Sequence, residues 1–132
     1  MTNKELYLLA EKAREKSYSP YSNITVGAAL LTKSGKVYLG ANIENAAYSP
    51  SVCAERVALF SAIADGERDF SAIAIAGGKR GEASRKCFSP CGVCRQVMAE
   101  FCAPDFKVIL GGDEEHQFSE LLPYTFDGEK IK

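Results

Sequence analysis

Three of the five cysteines in this chain limit what it can fold into more than any other feature, because their spacing asks for a shared site. Cys91 and Cys94, in Pro90-Cys91-Gly92-Val93-Cys94, are three residues apart and share one face of a first helical turn. The Pro90 before them suits a chain about to enter a helix. Cys53 opens another candidate helix and carries Glu55 two residues on, as Cys53-Ala54-Glu55. Unpaired N–H groups at a helix start favour negative charge and ease the formation of thiolates. Two helix starts facing each other would deliver three thiolates to one Zn²⁺. A three-ligand zinc keeps a fourth position for water, which is the catalytic pattern rather than the closed structural one. The C-x-x-C pair alone is also explained by reduced core thiols, a redox pair or half of a structural zinc site. The upstream Cys-Ala-Glu is what turns the reading toward a catalytic metal.

Compartment bears on how thiols are read. The opening Met1-Thr2-Asn3-Lys4-Glu5, followed by Glu11, Lys12, Arg14, Glu15 and Lys16, is too charged for a signal-peptide core. No apolar run approaches membrane-spanning length, so a cytoplasmic location with no membrane partner is expected. Reducing surroundings disfavour disulfides, and the odd cysteine count agrees. With 16 basic and 17 acidic residues the chain lacks the excess of positive charge expected of a protein that grips polyphosphate, so nucleic acid is not an expected partner. At 132 residues, a single domain spanning 1–132 is expected.

The remaining pattern alternates helix and strand. Thr2 and Glu5 form a capping-box pair ahead of Leu6, Leu9, Ala10 and Ala13 at helical spacing. Tyr18 to Ser22 reads as a connection. Ile24 to Leu31 and Val37 to Ile43 read as strands joined by a turn at Lys33-Ser34-Gly35-Lys36. Cys53 to Ala64 reads as a helix stopped by Gly66, Ile73 to Ala76 as a short buried strand, and Gly77 to Ser89 as a basic loop. Cys91 to Cys102 is a helix halted by Pro104, Phe106 to Leu110 a strand, and a helical turn surrounds Glu120. A hairpin followed by strand–helix alternation implies an α/β fold, a mixed sheet with helices on its faces. Cys87 and Cys102 read as spare thiols, His116 as exposed surface, and Lys79, Arg80, Arg85 and Lys86 as a solvated loop.

Four segments carry a family resemblance: Tyr21 to Leu30, Asn42 to Tyr48, Cys53 to Leu59 and Ser89 to Val97. In content and order they resemble the small homotetrameric cytidine deaminases, and the likeness runs from the first helix to Phe126. The Cys-Ala-Glu and Pro-Cys-x-x-Cys pair is the known signature of zinc deaminases, with three Cys allowed as ligands and the Glu a non-ligand acid and base. The resemblance implies a three-layer α/β/α sandwich around a five-stranded mixed sheet. It implies one Zn²⁺ per chain on Cys53, Cys91 and Cys94, and hydrolytic deamination of cytidine and deoxycytidine in pyrimidine salvage. Glu55 would carry protons between the attacking water and the pyrimidine, and Arg56 would offset the charge of the ligand sulfurs. Asn42 and Glu44 would bind the ribose hydroxyls, although polar residues after a strand are more often turn formers. Tyr48, Ile24 and Ala54 would line the pocket, and a neighbouring subunit would supply Phe126. Ile24 stands where the resemblance leads one to expect a Phe stacked on the pyrimidine, which leaves room for another aminopyrimidine nucleoside such as a blasticidin-like compound. Two further readings stay open: a non-catalytic zinc module with Cys87 or Cys102 as fourth ligand, and a polynucleotide-editing deaminase.

Overall fold

A computed structural model describes all residues, 1–132. The first helix, α1 (Asn3–Ala13), begins on the expected box: Thr2 Oγ1 accepts from the Glu5 N–H at 3.1 Å and Glu5 Oε1 from the Thr2 N–H at 3.2 Å. Strands β1 (Ile24–Thr32) and β2 (Val37–Ala41) follow, then helix α2 (Ala54–Ala64), strand β3 (Phe70–Lys79), helix α3 (Gly92–Phe101), strands β4 (Lys107–Gly111) and β5 (Glu114–Gln117), and the one-turn helix α4 (Phe118–Leu121). The sheet order is β2-β1-β3-β4-β5; β3 and β4 are parallel and every other neighbouring pair is antiparallel. The sheet is five-stranded and mixed, as the family resemblance implies.

Alternation along the strands builds two unequal faces. Val26, Ala28, Leu30, Ile73, Ile75, Val108 and Leu110 point one way, and α2 and α3 cover them with Ala54, Ala58, Leu59, Ala62, Cys94 and Met98. On the other face Ala29, Ala72, Ala74, Ala76 and Ile109 meet Leu6, Tyr7 and Ala10 of α1. The three layers are therefore α1, sheet, and the α2/α3 pair. The alanines let α1 lie close to the sheet. At Gly27 on β1 that approach is complete, since a Cβ there would stand 2.0 Å from the Ala10 carbonyl oxygen. Gly40 on β2 does the same for α2: a Cβ would stand 2.2 Å from the Ala54 oxygen and 2.6 Å from the Ala58 nitrogen. The start of α2, where Cys53 and Glu55 lie, rests on the bare backbone of Gly40.

Several boundaries differ from the sequence reading. β3 runs from Phe70 to Lys79 rather than from Ile73 to Ala76, so Gly77 and Gly78 are strand residues paired with Val26 and Thr25. The Phe88 ring takes the space above Gly77, and the nearest contacts at Gly78 come from Ala83 and the Arg14 guanidinium. β2 ends at Ala41, leaving Ile43 to make isolated bridges with Tyr18 and Val52. β5, with the sequence Glu-Glu-His-Gln, has no apolar alternation to reveal it and lies at the sheet edge. His116 within it is half-buried rather than exposed, its ring set between Glu114 Oε2 at 3.1 Å and Glu120 Oε2 at 3.4 Å. Those two carboxylates raise the pKa of the imidazole.

Candidate active site

Cys53 and Cys91 are the N-caps of α2 and α3, each in extended backbone, and neither makes a side-chain cap hydrogen bond. Cys94 follows in the first turn of α3 and is buried. Both helices pack on the same face of the sheet, so their starts come together. The Sγ atoms of Cys53 and Cys91 are 3.6 Å apart and those of Cys91 and Cys94 3.5 Å, and all three lie within 4.8 Å of one another. Zinc–sulfur bonds of about 2.3 Å in a tetrahedron put ligand sulfurs about 3.8 Å apart. The observed spacing therefore fits one zinc, and the three donors leave the fourth corner without a protein ligand. Cys87 is exposed and Cys102 half-buried, and neither belongs to the cluster. Burial alone pushes the Cys102 thiol up to about 12.

Charge in this cluster is unevenly held. A hydrogen bond from Cys94, helped by the Arg56 guanidinium, brings Cys53 down to about 5, and Cys94 is raised in turn by the same partner and by burial. One thiolate thus forms readily at Cys53, with the neighbouring thiol donating to it. Arg56 Nη2 donates to Cys53 Sγ at 3.4 Å, while its Nε is buried without a partner. Glu55 is 5% exposed. Burial pushes its carboxyl up to about 7, against the pull of its own backbone N–H. A buried acid close to neutral pH, beside a thiol cluster, is a group able both to take and to give a proton.

The other expected residues form a second constellation. Asn42 is buried and its amide is largely committed: Oδ1 accepts from the Val26 N–H at 2.9 Å and from Ser17 Oγ at 2.6 Å, and Nδ2 donates to the Ile24 carbonyl at 2.9 Å. Glu44 Oε1 accepts from the N–H groups of Tyr21 and Ser22, and Oε2 from the Ser22 hydroxyl. The Ser22 hydroxyl bond chiefly lowers the pKa of this carboxylate. Glu44 and Tyr48 line one cavity of about 340 Å³ with Tyr21, Ser22 and Ser51. The Tyr21 and Tyr48 rings meet edge-on, 6.2 Å between centroids. Ile24 is half-buried against the main core, and Ala54 is fully buried within it, offering no surface to a ligand. The Phe126 ring is 59% exposed, and only its carbonyl is engaged, by Gln96 Nε2 at 2.8 Å.

The profile of the family described as the cytidine and deoxycytidylate deaminase zinc-binding region matches residues 1–110. The chain belongs to the cytidine deaminase family. It is similar to the cytidine deaminase of Halalkalibacterium halodurans, 52% identical with 92% of each chain covered. To the cytidine deaminase of Sporosarcina psychrophila it is 47% identical, over 99% of this chain and 96% of the other. The crystal structure of the cytidine deaminase from Burkholderia pseudomallei superposes with a TM-score of 0.85 at 47% identity, covering 96% of this chain and all of that one.

Membership of the cytidine deaminase family accounts for the three thiols, but some structural supports were not visible in the sequence. Arg95 anchors the segment before α3, its Nε donating to the Pro90 carbonyl at 2.9 Å and its Nη1 to the Leu121 carbonyl at 2.7 Å. Ser19 and Ser22 lie in what reads as a plain connection, with Ser17 just before it, and only the fold shows that Ser22 reaches Glu44, Ser17 reaches Asn42 and Ser19 contacts Ser17. Arg80, read as part of a solvated loop, is exposed in a turn and also bonds Asn23 and Ser19.

Proposed function

We propose that this chain hydrolytically deaminates cytidine and deoxycytidine to uridine and deoxyuridine, releasing ammonia. The observation that carries the reading is the buried Glu55 beside three converged thiols with an open fourth corner. Zinc bound there supplies a Lewis acid that lowers the pKa of a water. Cys53, Cys91 and Cys94 hold the ion, and the Arg56 guanidinium offsets their negative charge. Glu55 takes one proton from the attacking water and delivers it to N3 of the ring. The water oxygen bonds to C4. Glu55 then takes the second proton of that oxygen and gives it to the amino group, so the C4–N bond breaks and the products are the 4-oxo nucleoside and ammonia.

Asn42 and Glu44 hold the sugar hydroxyls, and Ile24 and Tyr48 flank the nucleoside. Phe126 completes the site of another subunit in a homotetramer; the exposed rings of Phe126, Tyr124 and Phe60 and the exposed Leu39 support such an assembly. Five free thiols support a reducing, cytoplasmic setting, and the proposed reaction fits a place in pyrimidine salvage. No helix is long and apolar enough to cross a membrane. We take residues 1–132 as one domain, since a single sheet joins all parts of the chain.

A non-catalytic zinc module would need a fourth protein ligand, and neither Cys87 nor Cys102 is at hand. The deciding experiment is ammonia release from a panel of nucleosides by the zinc-loaded protein. Cytidine and deoxycytidine are the expected substrates. Release only from a bulkier aminopyrimidine nucleoside, or from none, would overturn the reading.

A further inference from the structure

Two hydroxyls, Ser19 and Ser17, link Arg80 to Asn42. Asn42 Oδ1 carries no hydrogen, so Ser17 spends its single hydroxyl proton on the 2.6 Å bond to it. The 3.1 Å contact with Ser19 also has Ser17 as its donor, so one proton faces two oxygens and favours the shorter bond. Ser19 Oγ in turn accepts from Arg80 Nη2 at 2.8 Å. A continuous line of polar contacts therefore runs from a guanidinium on the surface through Ser19, which is 1% exposed, to the amide of Asn42. With Oδ1 accepting two bonds and one Nδ2 hydrogen given to Ile24, a single N–H of Asn42 is left for a ligand. By drawing on the Ser19 oxygen, the guanidinium makes it a weaker acceptor and leaves the Ser17 proton to Asn42, which holds the amide in place.

Arg80 also fixes the loop that carries the rest of this constellation. Its backbone N–H donates to the Asn23 carbonyl at 2.9 Å and its Nε to Asn23 Oδ1 at 3.1 Å. Asn23 sits in the left-handed region at φ 60°, where Asn is one of the few residues tolerated, and its N–H returns to the Ser19 carbonyl at 3.1 Å. Ser22 and Ile24 are its chain neighbours, the first bound to Glu44. The charge of Arg80 is also felt at Glu44, where it helps to lower the carboxylate pKa.

We propose that Arg80, acting through Ser19 and Ser17, is a positioning residue for the sugar-binding end of the pocket. The inference rests on the assignment of Asn42 and Glu44 to the nucleoside hydroxyls. Its test is steady-state kinetics of the zinc-loaded chain with cytidine and with 2′,3′-dideoxycytidine, which lacks the 2′- and 3′-hydroxyls. Ser17→Ala and Arg80→Met should each raise KM for cytidine about threefold to tenfold, the worth of one ordinary hydrogen bond, with kcat nearly unchanged. KM for the dideoxy compound should stay within about twofold of wild type, because the lost positioning serves only the hydroxyls. The double variant should be no worse than the more damaging single one, since both break one chain. An unchanged KM for cytidine, equal increases for both nucleosides, or multiplying effects in the double variant would each overturn the inference. Should Arg80→Met fold poorly, as a fallen Tm would show, Ser17→Ala decides alone. A wild type inert toward every nucleoside refutes the functional reading itself, and this inference with it.

Discussion

Gly40 and Gly27 offer a matched pair of perturbations that separate folding from metal binding. Each underlies a helix crossing, and at each a Cβ would meet backbone at 2.2 Å or less. Restoring ordinary contact at 3.4 Å requires a relative shift of about 1.2 Å for Gly40→Ala, with a somewhat larger one for Gly27→Ala. Overpacking of this kind costs about 1–3 kcal/mol or more, and backbone on both sides leaves no side chain to give way. At about 3–5 °C per kcal/mol for a domain of this size, both variants should lose on the order of 5–15 °C in Tm. The zinc site should tell them apart. Gly40 supports the Ala54 carbonyl, next to Cys53, whereas Gly27 supports α1 on the opposite face of the sheet. Structural metal sites hold their distances to about 0.2 Å, so a displaced α2 start should weaken zinc binding about 10–100-fold, the usual effect of disturbing a ligand's support. Competitive chelator titration, read beside a thermal melt of each variant, makes the measurement. Equal zinc affinity in the two variants would refute the argument that Gly40 sets the position of Cys53.

Four further outcomes are expected. Alanine at Cys53, Cys91 or Cys94 should abolish or greatly weaken zinc binding in elemental analysis, while Cys87→Ala and Cys102→Ala keep one zinc; loss of zinc in Cys87→Ala would overturn the ligand assignment. Glu55→Gln should keep zinc yet lower kcat by about 10²–10⁴-fold or beyond, and retention of more than about a tenth of wild-type kcat would exclude Glu55 as the proton carrier. Ile24→Phe should lower KM for cytidine about fivefold with kcat scarcely changed, because stacking on a ring contributes about 1–3 kcal/mol of which isoleucine's apolar contact recovers part; loss of cytidine activity would show a pocket shaped for another nucleoside. Sedimentation should show a homotetramer and Phe126→Ala should raise KM, whereas a fully active monomer would sink the shared site.

What was legible in the sequence follows from which interactions are local. Thr2 with Glu5, and Cys91 with Cys94, act within one helical turn, so spacing alone located them. The convergence of Cys53 on Cys91 depends on α2 and α3 packing side by side on one sheet face; two helix starts suggested it, and the resemblance implied it. β3 was read too short because Gly77 and Gly78 look like breakers. Their bare backbone is instead what admits the Phe88 ring and the Arg14 guanidinium. Arg80 is exposed, as a basic residue between glycines looks, but its bonds to Ser19 and Asn23 were not legible because those partners are distant along the chain.

The charged edge of the sheet has a consequence for how copies of the chain can meet. Strand edges offer unpaired N–H and C=O groups that template the addition of another strand, and charge is a common guard against it. On β5 the guard is Glu114, Glu115 and His116, with Lys107 of β4 paired to Glu115 at 3.5 Å. A copy adding an antiparallel strand centred on Glu114 and Glu115 would set glutamates against glutamates. The opposite edge, β2, is Val-Tyr-Leu-Gly-Ala and bears no charge. Growth of the sheet into a ribbon is thus blocked at one end, and a closed assembly must form through the other edge or through the helices. Acid that neutralises the glutamates leaves His116 protonated, so this edge keeps a charge at low pH as well.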